Sequence, residues 1–468
     1  MVSNREPYVH VYRDGQVEWL RPASGLTTAL DPVMQASRGL WVAHGSGSAD
    51  AAVTNEHGVV AVPPDRPNYH LKRVWLSKHL EDAYYYGFAN SALWPLCHVA
   101  YRRPVFRQEH WEAYREVNRI FADRVAREIQ SDAAFVFVQD YHFALLPQIL
   151  RARCPRAVIA QFWHIPWPNP EVFRICPWKE EILEGLLGND ILGFHIRYHC
   201  DNFIATVDRE LEARPDREAT AIVYRRHLTK VRSFPISIDF EDISRRAGSA
   251  DIKRLMGVIR RQYHLSDKVV LGVGVDRIDY TKGLPERLEA LDRLFARHPE
   301  YRGRVVFFQV GSPSRTHIDE YRRLNEEIDE RVAALNRKYA RGEWRPVIFV
   351  RKHFGLPMLL ALYRLAHFLV VSSLHDGMNL VAKEFVAAQV DSHGVLLLSR
   401  FTGAARELRD ALIVNPYAPD ELAAEIRRAI EMEPMEIRRR MGRLRALVRE
   451  HNIYWWATSV IKKLAKLV

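Results

Sequence analysis

Short apolar runs alternate with amphipathic stretches along most of this chain. Phe135-Val-Phe-Val138, Val158-Ile-Ala-Gln-Phe162 and Ile191-Leu-Gly-Phe194 are almost wholly apolar. That pattern predicts strands buried on both faces. Each run stops at polar side chains: Asp140-Tyr141-His142, His164 and His195. Between them, Trp111 to Ile129 places Val117, Ile120, Phe121 and Val125 at helical spacing, and Leu145 to Leu150 continues as a helix. Earlier, Val2 to Arg5 reads as the end of a strand that is very short or trimmed at its start. Arg13-Asp14-Gly15-Gln16 is a hairpin turn, Leu26 to Met34 a helix, and Trp41 to His44 a strand running into a loop.

A second series follows Asp239 to His264, a polar, helical segment read as the junction. Its strands are Lys268 to Val275, Val305 to Val310, Val347 to Val350, Phe368 to Val371 and Val395 to Leu398. Again the polar groups follow the strands: Asp276-Arg277-Ile-Asp279-Tyr-Thr-Lys282-Gly283, Ser314-Arg315, Asp376-Gly-Met-Asn379, and Ser399-Arg400. Strands alternating with helices at this spacing predict an α/β protein with parallel sheets covered on both faces. The expected domains are 1–238, 239–450, and a final helix over 451–468 that crosses back to the first.

Composition narrows the class. At 468 residues with 48% hydrophobic content, the chain is long enough for two or three domains and is not disordered. It contains no run of about eighteen apolar residues, so no membrane helix is expected, and its start lacks the apolar core of a signal peptide. Cys97, Cys154, Cys176 and Cys200 are scattered without metal-ligand spacing. A reducing, cytoplasmic setting is therefore expected. The net charge of +11 is compatible with nucleic acid, anionic membrane or phosphorylated small molecules. The basic residues are interspersed with acids, however. Arg438-Arg-Arg440, Arg443 and Arg445 accompany an apolar stripe of Met441, Leu444 and Leu447, which reads as a solvated helix face.

In doubly wound sheets, ligands bind beyond the carboxyl ends of the strands, so two such halves imply a cleft between them. Arg277 and Lys282 flank one loop just before a helix start. Two fixed cations there can hold a diphosphate and stabilise its charge as it leaves; ordinary surface ion pairs are the plain alternative. Arg5 and Arg315, one from each half, can clamp a second phosphate. Asp376 can accept hydrogen bonds from a sugar and Glu384 from a ribose diol, although a capped helix with solvated acids gives the same local pattern. Tyr84 to Pro95 is dense in aromatics, as sugar-stacking surfaces and ordinary cores both are. No P-loop, dinucleotide fingerprint, His-Glu-x-x-His or Gly-x-Ser-x-Gly motif is present, and no metal or other cofactor is expected.

Ser3-Asn-Arg5, Trp94-Pro95, Asp140-Tyr-His142, His164-Ile-Pro166, Arg277 to Gly283, Ser314-Arg315, Asp376 to Glu384 and Asn415-Pro-Tyr417 occur in an order that resembles the trehalose-6-phosphate synthase family, glycosyltransferase family 20. The resemblance covers nearly the whole chain. It implies the GT-B fold, two Rossmann-like domains facing across a cleft, and a retaining, metal-independent transfer of glucose from a nucleoside diphosphate sugar, usually UDP-glucose, to glucose 6-phosphate.

By position, the resemblance assigns the acceptor sugar phosphate to Arg5, Tyr85, Trp94 and Arg315, with Asp140 hydrogen-bonding the acceptor. Gly25, Arg277 and Lys282 would bind the donor diphosphate. Asn379, Leu380 and Val381 would present backbone groups to the donor, and Glu384 would take its ribose. His164 and Asp376 would hold the donor glucose. Arg277, Lys282, Asp376 and His164 are thus the expected catalytic group. The departing phosphate would take the acceptor proton itself, with no enzyme nucleophile.

Two departures from the family pattern stand out: Ser24-Gly25 replaces a Gly-Gly pair, and His375 replaces an Arg. The expected partners are small sugar phosphates and nucleotide sugars, with neither nucleic acid nor membrane; a homo-oligomer is left open. Other readings are a glucosylglycerol-phosphate synthase, with glycerol 3-phosphate as acceptor, and a non-catalytic sugar-phosphate sensor.

Overall fold

The computed structural model describes residues 1–468 except 23–24, 132–133 and 467–468. The chain divides into two compact units, Met1–Ile236 with Ile453–Val468, and Ser237–Asn452.

In the first unit the strands are β1 (Val2–Arg5), β2 (Val9–Arg13), β3 (Gln16–Leu20), β4 (Leu40–His44), β5 (Val59–Val62), β6 (Tyr69–Val74), β7 (Phe135–Gln139), β8 (Val158–Phe162), β9 (Ile191–Phe194), β10 (Arg214–Asp216), β11 (Ala221–Tyr224) and β12 (His227–Ser233). Among the described residues the main sheet runs β10-β11-β12-β9-β8-β7-β1-β4-β6-β5. It is parallel from β12 to β6, with antiparallel strands at its edges. β2 and β3 form a separate hairpin turned by Asp14 and Gly15, both at positive φ, as the Arg13-Asp-Gly-Gln motif predicts. β1 lies inside the sheet, with β4 on one side and β7 on the other. The strand order reverses there, so the loops after β1 and β7 diverge and leave a crevice at their carboxyl ends.

One helical feature, joined to the end of β1 through Tyr85 and Arg5, frames that crevice. Residues Asp82–Leu93 form a π-helix. Its wider turn is held partly by side chains: Asn90 Nδ2 donates to the Tyr85 carbonyl and Ser91 Oγ to the Tyr86 carbonyl, both at 2.7 Å. Such turns concentrate at functional sites. The final helix, Ile453–Leu464, buries Ile453, Trp456, Ala457, Val460 and Leu464, one apolar stripe. Trp456 Nε1 donates to the Phe234 carbonyl, and its ring packs on Phe137 and Phe162.

The second unit carries β13 (Val270–Arg277), β14 (Val305–Ser312), β15 (Val347–Val350), β16 (Phe368–Val371), β17 (Val395–Ser399) and β18 (Leu412–Val414). Its all-parallel sheet runs β15-β14-β13-β16-β17-β18. Here β13 and β16 flank the switch point. The helix Pro434–Glu450 buries Met441, Leu444 and Val448. Val448 therefore takes the place in the stripe expected for Leu447, because the helical repeat of 3.6 residues advances the buried face past a strict three-residue step. No helix among the described residues is long and apolar enough to cross a membrane.

Candidate active site

The first unit gathers its polar groups at the carboxyl ends of β1, β7, β8 and β9. Arg5 ends β1, and its Nη2 donates to the Tyr85 hydroxyl at 2.8 Å. Tyr85 comes from the π-helix and stacks on the His142 ring, with centroids 5.6 Å apart and planes 11° apart. Trp94 begins the next short helix and packs on His98 and Tyr141. Asp140 follows β7 at φ 74°, a conformation disfavoured for a residue with a Cβ, and caps the next turn by accepting from the Tyr141 N–H. His164 follows β8, and its Nε2 lies 2.9 Å from Oε1 of Gln139. Burial, reinforced by the neighbouring His195 and His142, holds the His164 imidazole well below its ordinary pKa, so it is neutral at physiological pH.

The second unit is charged where the first is aromatic. Arg277 ends β13, and Lys282 closes the turn that follows. Gly283 permits that turn: it sits at φ +64°, and a Cβ there would lie 2.2 Å from the Ser372 carbonyl oxygen. Between the two cations, Asp279 is fully buried. Its carboxylate accepts from the Thr281 N–H at 3.0 Å and the Thr281 hydroxyl at 2.9 Å. It also accepts from Tyr321 at 3.1 Å and Arg315 at 3.3 Å, with Arg277 at 4.0 Å. Burial pushes the Asp279 pKa up, but Arg315, Arg277 and Lys282 outweigh it and hold the acid below its ordinary range. Asp279 thus collects three cations around one anion. The sequence motif contains it, yet nothing local marks its role, because Arg315 and Tyr321 arrive from much further along the chain.

Lys282 Nζ donates to Asp376 Oδ2 at 2.6 Å. Ser373 and Asn379 also donate to that oxygen. Asn379, at φ 108°, caps the helix Leu380–Ala388 by accepting from the Ala382 N–H. Leu380 and Val381 form the first turn of that helix, where the backbone dipole favours an anion. Glu384, one turn on, accepts from the Tyr363 hydroxyl at 3.3 Å, and burial raises its pKa to about 7. Asp140, Arg315 and Asn379 all hold positive φ without being glycine. Conformations of this kind cost about 1–3 kcal/mol each and cluster at ligand sites.

The structure therefore brings together Arg5 with Tyr85 in the first unit, and Arg277, Lys282, Arg315, Asp376 and Asn379 in the second. Gly25 opens the helix Gly25–Ser37; Ser24 lies outside the described residues. Sequence reasoning missed Asp279, Gln139 and Ser373, whose contacts form only on folding.

Two doubly wound units, one with a mixed and one with an all-parallel sheet, each with polar groups at the strand carboxyl ends, have the architecture of the GT-B class of glycosyltransferases. Residues 1–466 match glycosyltransferase family 20. The trehalose-6-phosphate synthase of Mycolicibacterium smegmatis is 37% identical over 474 residues, covering 99% of this chain and 92% of that protein. A Burkholderia xenovorans alpha,alpha-trehalose-phosphate synthase (UDP-forming), solved in complex with glucose-6-phosphate, superposes with a TM-score of 0.88 at 29% identity, covering 99% of each chain. A structure from E. coli bound with UDP-2-fluoro glucose gives a TM-score of 0.88 at 30% identity, covering 100% of this chain and 98% of that one. The chain belongs to glycosyltransferase family 20.

Proposed function

We propose that this glycosyltransferase moves glucose from UDP-glucose to glucose 6-phosphate with retention of configuration, forming trehalose 6-phosphate. The observation that carries the reading is the cation pair at the β13/β16 switch point, Arg277 and Lys282, beside a helix N-terminus and buried Asp279; Arg315, expected on the acceptor phosphate, is held here by Asp279 and Tyr321. A diphosphate entering there meets two side-chain cations and the helix dipole. It competes with Asp376 for the Lys282 ammonium, which frees the carboxylate to accept from the donor glucose hydroxyls. Glu384 accepts from the ribose.

In the first unit, Arg5 and Arg-held Tyr85 offer a cation and a hydroxyl for the acceptor phosphate, with Trp94 and Asp140 completing the acceptor side. His164, neutral and oriented by Gln139, holds a glucose hydroxyl. The bond from the anomeric carbon to the diphosphate oxygen breaks, and a bond to the acceptor hydroxyl oxygen forms on the same face. The acceptor proton passes to the departing phosphate. Arg277 and Lys282 stabilise the charge that develops on that phosphate, so the chemistry needs no protein nucleophile and no metal. The M. smegmatis and B. xenovorans relatives, named for this reaction, support the reading. The four free thiols support a cytoplasmic setting.

A coupled assay for UDP tests it. UDP is expected only when UDP-glucose and glucose 6-phosphate are both present, with glycerol 3-phosphate a poor substitute. UDP-glucose bound without turnover under any acceptor would contradict the proposal, and preference for glycerol 3-phosphate would reassign the acceptor.

A further inference from the structure

The helix that follows the Lys282 loop, Leu284–Arg297, carries a cation that the mechanism above does not use. Arg287 is 1% exposed. Its Nη1 donates to Asp276 Oδ2 at 2.7 Å and to Gln309 Oε1 at 2.5 Å, and its Nε donates to Ser372 Oγ at 3.0 Å. Asp276 lies near the end of β13, Gln309 in the middle of β14, and Ser372 directly after β16, so one side chain joins three neighbouring strands. Gly274 makes the room: a Cβ there would lie 2.3 Å from Arg287 Nη1 and from Gln309 Oε1. The hydrogen bonds continue beyond the guanidinium. Ser372 Oγ lies 2.8 Å from the Gly283 carbonyl oxygen and 3.1 Å from that of Lys282, and donates to them.

We propose that Arg287, acting through Ser372, is a positioning residue for the leaving-group site. A cation donating to the Ser372 oxygen polarises that hydroxyl and strengthens its donation to the Lys282–Gly283 backbone. That fixes the peptide from which the Lys282 ammonium projects and at which the helix begins. The inference rests on Lys282 steadying the departing diphosphate. Ground-state binding tolerates a small shift of the ammonium, whereas stabilisation of the separating charge does not. The relay should therefore appear in kcat rather than in KM.

Ser372→Ala removes the relay while leaving Arg287, Asp276 and Lys282 in place. In the full chain we expect kcat per folded enzyme to fall about tenfold or more, with donor and acceptor KM and calorimetric UDP affinity within about twofold of the parent; the melting temperature should fall, because the buried Arg287 Nε loses its acceptor. Arg287→Lys keeps the charge but cannot span three partners, so a larger loss of kcat is expected; should it fail to fold, Ser372→Ala decides alone. A Ser372→Ala enzyme that turns over within about twofold of the parent, or that loses rate only in proportion to its folded fraction, overturns the inference. A parent enzyme silent with UDP-glucose and glucose 6-phosphate overturns the functional reading, and this inference with it, before any variant is made.

Discussion

The two units share a sheet architecture but solve recognition differently. At the β1/β7 switch point of the first, the groups are mostly neutral and aromatic: Tyr85 on His142, Trp94 on His98, and an imidazole at His164 kept uncharged by burial. At the β13/β16 switch point of the second, the groups are ions: Arg277, Lys282, Arg315, Asp279 and Asp376. A doubly wound sheet supplies only the place. The chemistry of that place follows from which residues end the strands. A neutral, shape-defined surface suits a sugar that is bound and released, and a preorganised ionic one suits charge that grows during reaction.

The largest effect should come from breaking the ionic side. Arg277→Ala and Lys282→Ala are each expected to lower kcat about 10²–10³-fold, as loss of one charge-stabilising donor does elsewhere. Steady-state kinetics with saturating acceptor reads this. Equal losses in KM and none in kcat would reduce those residues to substrate anchors.

Removing the anion that organises the cations is the next test. Asp279→Asn leaves Arg315 buried beside a neutral amide, and breaking a buried pair costs about 3–5 kcal/mol. A lower melting temperature and a drop in kcat are both expected. Because Asp279 is held below its ordinary pKa, it adds stability at neutral pH. That stability is lost as pH falls through its folded value, so parent and variant melting temperatures should converge in acid.

On the aromatic side, where Arg5 supplies a cation, the effects should be smaller and confined to the acceptor. Arg5→Ala is expected to raise the glucose 6-phosphate KM by about 10–100-fold, the loss of one charge-assisted contact, without moving donor KM. Tyr85→Phe removes only the hydroxyl held by Arg5 and should raise it by less. Kinetics at varied acceptor separates these from a loss of kcat.

The smallest effect is one of pH. Burial raises Glu384 to about 7. Its ionised form is the better acceptor for a ribose diol, so donor KM should fall as pH rises through that value. Glu384→Gln should flatten the dependence. The same raised pKa lowers stability with rising pH, because the unfolded state releases this proton earlier.

The strands and their polar ends were legible in the sequence because burial on both faces demands an uninterrupted apolar run; the first polar residues mark the approach of the exit rather than the exit itself, since β7 continues through Gln139, β13 through Arg277 and β14 through Ser312. Asp140 after β7 and Arg277 at the end of β13 follow from that alone. The Asp376 to Glu384 stretch was legible as a helix start, which falls at Leu380. The π-helix over Asp82–Leu93 was not. Its aromatic residues show no distinct period, and its support comes from Asn90 and Ser91 reaching back five residues. The role of Asp279 was hidden for a different reason. It depends on Arg315 and Tyr321, which the chain brings back only after another strand. Arg287 likewise looks in sequence like any helix arginine, and only three converging strands reveal that it is buried.

If ions at the β13/β16 switch point steady a nucleotide as it leaves and the acceptor attacks the face it leaves from, the transferred glucose keeps its configuration. Nuclear magnetic resonance of the product formed from UDP-glucose and glucose 6-phosphate tests it most directly. A trehalose 6-phosphate in which the transferred glucose keeps its α configuration is expected. An inverted linkage, or no disaccharide phosphate at all, would contradict it.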